Sequence, residues 1–166
     1  MTNHRWRAGW DHPMESGLVV VVQEANPIVG SVRDRFDPYA GVGVPPHITI
    51  LYPFFTPSQI TPDVTNAIRE VASHASPFDF ELSVVESFPG GAIYLTPSPA
   101  SRFVDLTSRL FARFPEHPPF GGEFDDIVPH LTVGWIDEGA ALPAVSAAMA
   151  GRFSDPVYRS RDHLDG

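Results

Sequence analysis

The chain has no cysteine, and all eleven of its basic residues are arginine, with no lysine. Without a thiol there is no disulfide framework, no thiolate nucleophile and no thiolate metal ligand. Long apolar runs are missing too: none reaches the roughly 18 residues that would span a membrane. Residues 1–16 hold His4, Arg5, Trp6, Arg7 and Trp10 in place of the continuous apolar stretch of a secretion signal, so a cytoplasmic setting is expected. Positive charge is scarce. At a formal net charge of −9, little is gained from counterion release along a polyphosphate, which argues against tight binding to long nucleic acid. A small phosphate ligand in a local cleft remains compatible, because nearby donors outweigh net charge there.

What is present is a chain of 166 residues, 43% hydrophobic, long enough for one core but not for two large ones. Leu18 to Val22 is a β-branched run and reads as a buried strand. Asn26-Pro27 reads as the start of a helix through about Phe36. A loop from Asp37-Pro38 through Gly41 to Pro46 follows. Thr61-Pro62-Asp63 opens a second helix, with Val64, Ala67, Ile68 and Val71 on one face. Phe78, Phe80, Leu82 and Val84 alternate along a strand that Pro89-Gly90-Gly91 turns into a hairpin with Ala92 to Thr96. Phe103, Leu106, Leu110 and Phe114 mark a third helix that Pro115 stops, and Ala140 to Ala150 a last one. Helices alternate irregularly with strands and at least one hairpin, which predicts an α+β fold. The expected organisation is an extension over 1–16, one domain over 17–153 and a polar tail over 154–166.

One short pattern occurs twice. Pro46-His47-Ile48-Thr49-Ile50 recurs as Pro129-His130-Leu131-Thr132-Val133, with the two histidines 83 residues apart. Residues two apart in a strand share a face, so each His points the same way as its Thr, while Ile48, Ile50, Leu131 and Val133 point to the buried side. A single His-x-Thr is adequately explained as a strand histidine bonded to backbone beside a residue of high β-propensity. The repeat is not. Two such strands side by side would gather two imidazoles and two hydroxyls around one cleft. A neutral imidazole accepts a proton from the attacking group while a protonated one gives a proton to the leaving oxygen, and threonine hydroxyls donate to the non-bridging oxygens of a phosphodiester. The spacing does not say which ring is the base.

The motifs, Pro46-His47-Ile48-Thr49-Ile50-Leu51-Tyr52-Pro53-Phe54 and Pro129-His130-Leu131-Thr132-Val133, resemble those of the 2H phosphoesterase superfamily, and within it the bacterial 2′-5′ RNA ligase-like (cyclic phosphodiesterase) proteins. The likeness runs from about Leu18 to Ala150. It includes Ser87-Phe88-Pro89 followed by Ile93-Tyr94-Leu95, and Phe114-Pro115 ahead of the second motif. The resemblance implies a bilobed, pseudo-twofold fold, with two antiparallel sheets lining a cleft and helices outside. It implies metal-independent opening of 2′,3′-cyclic phosphates, or cleavage and ligation of 2′-5′ linkages, without a cofactor. It carries catalytic roles to His47, Thr49, His130 and Thr132. The partner expected is a small nucleotide or an RNA terminus bearing a cyclic phosphate; a 2′-5′ RNA ligase and a non-catalytic nucleotide-binding module are the alternatives. Family members usually continue into a further apolar strand, whereas residues 151–166 are too polar for a central one. The open sheet edge this would leave is expected to be covered by the N-terminal extension or a second subunit, giving a monomer or a dimer.

Tyr52, Phe54, Phe88, Tyr94 and Trp135 are candidates for stacking on a nucleobase, Phe54 and Tyr94 foremost on family context, although core or rim packing is the commoner use of any one of them. Arg33 and Arg35 suit a phosphate clamp but read more simply as a solvated helix face. Asp125 and Asp126 with His130 make a poor metal site, because adjacent carboxylates on a strand diverge. His4, His12, His74, His117 and His163 lack a Thr partner and are expected to be exposed.

Overall fold

The computed structural model describes residues 15–89, 91–150 and 157–159. Its elements run β1 (Ser16–Val21), α1 (Asn26–Phe36), the one-turn α2 (Pro38–Gly41), β2 (His47–Phe54), α3 (Pro62–Ser73), β3 (Asp79–Ser87), β4 (Ala92–Ser98), α4 (Ser101–Arg113), β5 (Leu131–Trp135), α5 (Leu142–Met149) and β6 (Val157–Arg159). The fold is α+β, as the irregular alternation predicts. Local chemistry sets several boundaries. The Thr61 hydroxyl accepts from the Val64 amide with Pro62 in the first turn, which caps α3. Asp37 does the same for Tyr39 and makes a helical turn, α2, where a loop was expected.

The strands form one antiparallel sheet in the order β1-β2-β5-β4-β3-β6. This corrects the expectation of two separate sheets. The β1-β2 pair and the remaining four strands meet at one residue pair, Ile48 with Leu131, and that bridge joins them into a single sheet. The two His-x-Thr strands are therefore direct neighbours at its centre. On one face Ile48, Ile50, Leu131 and Val133 are buried and belong to the core with Val29, Val32, Phe103, Leu110 and Val145 from the helices. Helix α1 packs on β5, α4 on β2 and α5 on β3. Burying each such side chain contributes ~1.5–3 kcal/mol. A one-residue slip of either motif strand would forfeit that and push His and Thr into the core, so the apolar face fixes where the polar face points.

Two bulge-like irregularities change the simple alternation. Opposite β1, the register jumps between Thr49 and Leu51 and again between Leu51 and Phe54, so Ile50 and Leu51 are both buried. On β3 the register shifts between Leu82 and Val84. Val84 is 53% exposed there, and Val85 packs on the core in its place.

The polar tail also departs from expectation. Residues Val157 to Arg159 pair with Glu81 to Asp79 and cover that part of the β3 edge. An outer strand needs only a few backbone hydrogen bonds on one side, which a polar sequence supplies as well as an apolar one. No second subunit is required for that stretch. The opposite boundary shifts slightly: β1 begins at Ser16, inside the span assigned to the extension. Residues 1–14 and 160–166, with His4, His12 and His163, lie outside the described residues.

Candidate active site

The motif strands approach as antiparallel neighbours with Ile48 opposite Leu131. That register carries His47 towards Thr132 and Thr49 towards His130 on the face away from the core. All four side chains line one cleft of about 620 Å³. Such a volume lies in the range of small-molecule pockets.

Each imidazole is fixed by the same local device. His47 Nδ1 lies 2.8 Å from the Pro45 carbonyl oxygen, and His130 Nδ1 lies 2.7 Å from that of Val128, in both cases two residues upstream. A carbonyl only accepts, so Nδ1 carries the proton and donates it. Nε2 is then the basic nitrogen of each neutral ring. Burial lowers the pKa of both rings below the ordinary imidazole value of 6.5. The carbonyl acceptors pull the other way, and the charge of Arg33 lowers His47 further while that of Asp37 raises it. His130 is also lowered by the charge of His47, so the two rings compete for protons.

Beyond this shared device the surroundings differ. Arg33 is 3% exposed, which contradicts the solvated-face reading. Nor does it line the cleft as a phosphate clamp. Its Nε and Nη2 bond the Asp37 carboxylate at 3.0 and 2.9 Å, and Nη2 donates to the Val44 carbonyl at 2.9 Å. The pair thereby braces the segment just ahead of His47, including Pro45, whose carbonyl holds the ring. Asp37 also accepts from the Tyr39 amide, and the Tyr39 ring meets Trp135 edge-on at 6.3 Å. Helix α1 sits close to β5: a Cβ at Gly134 would lie 2.9 Å from that of Phe36. Arg35 lies over the Phe36 ring instead.

His130 is held by rings. Phe88 and Tyr94 pack against it at 5.0 and 5.3 Å between centroids, and Phe120 stacks over it at 6.4 Å. Phe120 adopts a left-handed backbone (φ 51°), unusual for a residue with a side chain.

The aromatic candidates separate. Trp135 lines the cleft, as do Tyr52 and Phe88. Tyr94 does not: it is 6% exposed, tucked behind His130 and Phe88, and burial with the nearby Glu86 charge raises its pKa. Phe54 is removed from the site. The second register jump on β2 turns it to the core, where it is 3% exposed and packs on Phe55, Phe114 and His117. His117 is correspondingly not exposed; its Nε2 is buried and the ring lies 4.2 Å from that of Phe55. His74 is exposed, as expected. Lining residues that the sequence did not flag include Tyr39, Phe120, Phe124, Glu15 and Glu123. Tyr52 donates to Glu15 at 2.9 Å, and burial together with that bond raises its pKa.

A cleft built on two antiparallel neighbours, each presenting an imidazole and a hydroxyl, defines a two-histidine site. The chain matches the model of the 2′-5′ RNA ligase superfamily over residues 20–159. It belongs to that family, the 2H phosphoesterases, as the two motifs suggested. Three bacterial proteins provisionally named phosphoesterases are similar to it. One from Bacillus pumilus (strain SAFR-032) is 32% identical over 72% of this chain and 69% of its own length. One from Halalkalibacterium halodurans is 31% identical over 64% of this chain and 61% of its own length. One from Bacillus thuringiensis (strain Al Hakam) is 31% identical over 73% of this chain and 69% of its own length. Among the described residues no helix is long and apolar enough to cross a membrane.

Proposed function

We propose that this protein is a phosphodiesterase that opens 2′,3′-cyclic phosphates on small nucleotides or RNA ends by two-histidine acid–base catalysis, without a metal. The observation that carries the reading is the matched pair of Nδ1–H to carbonyl bonds. Each fixes the tautomer in which Nε2 is the basic nitrogen, on a ring that lines the cleft together with Thr49 and Thr132. In the reaction, water attacks phosphorus as the neutral ring takes its proton at Nε2. The P–O bond to the 2′ or 3′ oxygen breaks, and the protonated ring gives that oxygen its Nε2 proton. Thr49 and Thr132 donate to the non-bridging oxygens as negative charge grows there. Two imidazoles thus supply both proton transfers, which is why no metal is needed. Ligation would use the same groups with a 5′-hydroxyl in place of water.

The test is hydrolysis of a 2′,3′-cyclic mononucleotide in EDTA. Turnover should survive chelation and fall by roughly 10²-fold or more in His47→Ala and in His130→Ala. Activity abolished by EDTA and restored by a divalent ion would refute the metal-free mechanism. An inactive protein that still binds the cyclic nucleotide would point to a binding module.

A further inference from the structure

The charged side chains that line the cleft, apart from the two histidines, are Glu15, Asp37, Glu123 and Asp126. Every one is acidic, and among the described residues no arginine lines it. The cation whose charge reaches His47, Arg33, is buried and bonded to Asp37 and to the Val44 carbonyl, so that pair is internally neutralised. Glu15, Glu123 and Asp126 are exposed and line the cleft, Glu15 accepting from the Tyr52 hydroxyl. Much of the remaining wall is aromatic, with Tyr39 in edge contact with Trp135 and Phe120 with Phe124.

A phosphodiester carries one negative charge, and one protonated imidazole balances it. A terminal phosphate adds up to two more charges, and each further nucleotide adds one; among the described residues the charged side chains that line the cleft beside the two histidines are all carboxylates. Resting on the reading above, we infer that the cleft selects its substrate by charge. It takes small, singly charged phosphodiesters whose alcohol part is aromatic or apolar, such as a nucleoside 2′,3′-cyclic phosphate with a free 5′-hydroxyl. It disfavours 5′-phosphorylated nucleotides and oligonucleotide ends. Three exposed carboxylates acting on two added charges across a cleft, partly screened, amount to about tenfold in kcat/KM at low salt.

The experiment compares three ligands at 0.05 and 0.5 M KCl (about 14 and 4 Å of screening length): a nucleoside 2′,3′-cyclic phosphate, its 5′-phosphorylated counterpart and a short oligonucleotide ending in a cyclic phosphate. Both kcat/KM and calorimetric binding are read. The expected result is about a tenfold preference for the first at low salt, shrinking to about twofold at high salt. The Glu123→Gln/Asp126→Asn double variant should narrow the ratio at low salt. The same ranking in binding without turnover would support charge selection while removing the hydrolytic reading. Equal or better use of the 5′-phosphorylated nucleotide or the oligonucleotide at low salt, or binding of none of the three, would overturn the inference.

Discussion

The two halves of the site hold equivalent imidazoles by the same first contact and by opposite second ones. His47 and His130 each donate Nδ1–H to the carbonyl two residues back. Behind His47 stands a buried ion pair, Arg33 with Asp37, which grips Val44 and braces the loop. Around His130 stand Phe88, Tyr94 and Phe120, whose rings pack against it. The contact that sets the tautomer is local and repeats with the motif. The support behind it comes from elsewhere in the chain and differs freely, because either an electrostatic or an aromatic brace holds a ring still.

Breaking the polar brace should have the largest effect. Asp37→Ala leaves Arg33 buried without its anion and should cost about 3–5 kcal/mol of stability in urea denaturation, whereas Arg33→Met/Asp37→Leu should recover most of it. An Asp37→Ala protein as stable as the parent would show that water already serves the guanidinium. The aromatic brace should yield less: Phe88→Ala, at a half-buried position, should cost about 1–2 kcal/mol.

The two lesions should also move the pH dependence of kcat/KM in opposite directions. Asp37 raises the pKa of His47, so its loss lowers that pKa and moves the acid limb to more acid pH. Burial lowers His130, so admitting water at Phe88 raises its pKa and moves the limb towards 6.5. In the parent both rings lie below 6.5 and repel each other's protons, so the singly protonated pair, and with it the maximum of kcat/KM, should fall below pH 6.5. A maximum above 7 would contradict this.

The same depressed values carry a stability effect. Between 6.5 and the folded pKa values the unfolded chain binds more protons, so stability rises with pH there. The contribution is complete above 6.5 and is lost as pH falls through the folded values. Replacing both rings, as in His47→Asn/His130→Asn, should flatten the stability–pH curve in that window. The smallest effect is expected from Tyr94→Phe. Tyr94 acts as a packed ring behind His130, so losing its hydroxyl should change stability by less than about 0.5 kcal/mol and leave KM unaltered.

Periodicity made much of this molecule legible in the sequence. Ile48, Ile50, Leu131 and Val133 face the core because alternation demands it, and the same alternation turned both His-x-Thr pairs to the cleft. Thr61-Pro62 placed a helix start because a cap and a proline act within one turn. Phe54 was misread because register jumps on β2 reset the alternation, and nothing within the strand itself signals them. Arg33 was misread because helix α1 gives it a neutral-looking environment until Asp37 and Val44 fold back upon it. Phe88 and Tyr94 stood out as aromatics near the motifs, but their packing with Phe120 around His130 was not legible, for the same reason.

The sequence by itself determined the two His-x-Thr pairs, the faces they occupy and the family to which the chain belongs, since these follow from side-chain chemistry and a period of two. Only the tertiary structure decided that the motif strands are neighbours in one sheet, that an ion pair supports one ring and aromatics surround the other, and that four carboxylates join the histidines in the cleft lining. Those are properties of contacts between distant segments, and their energies depend on burial and distance, which exist only once the chain has folded.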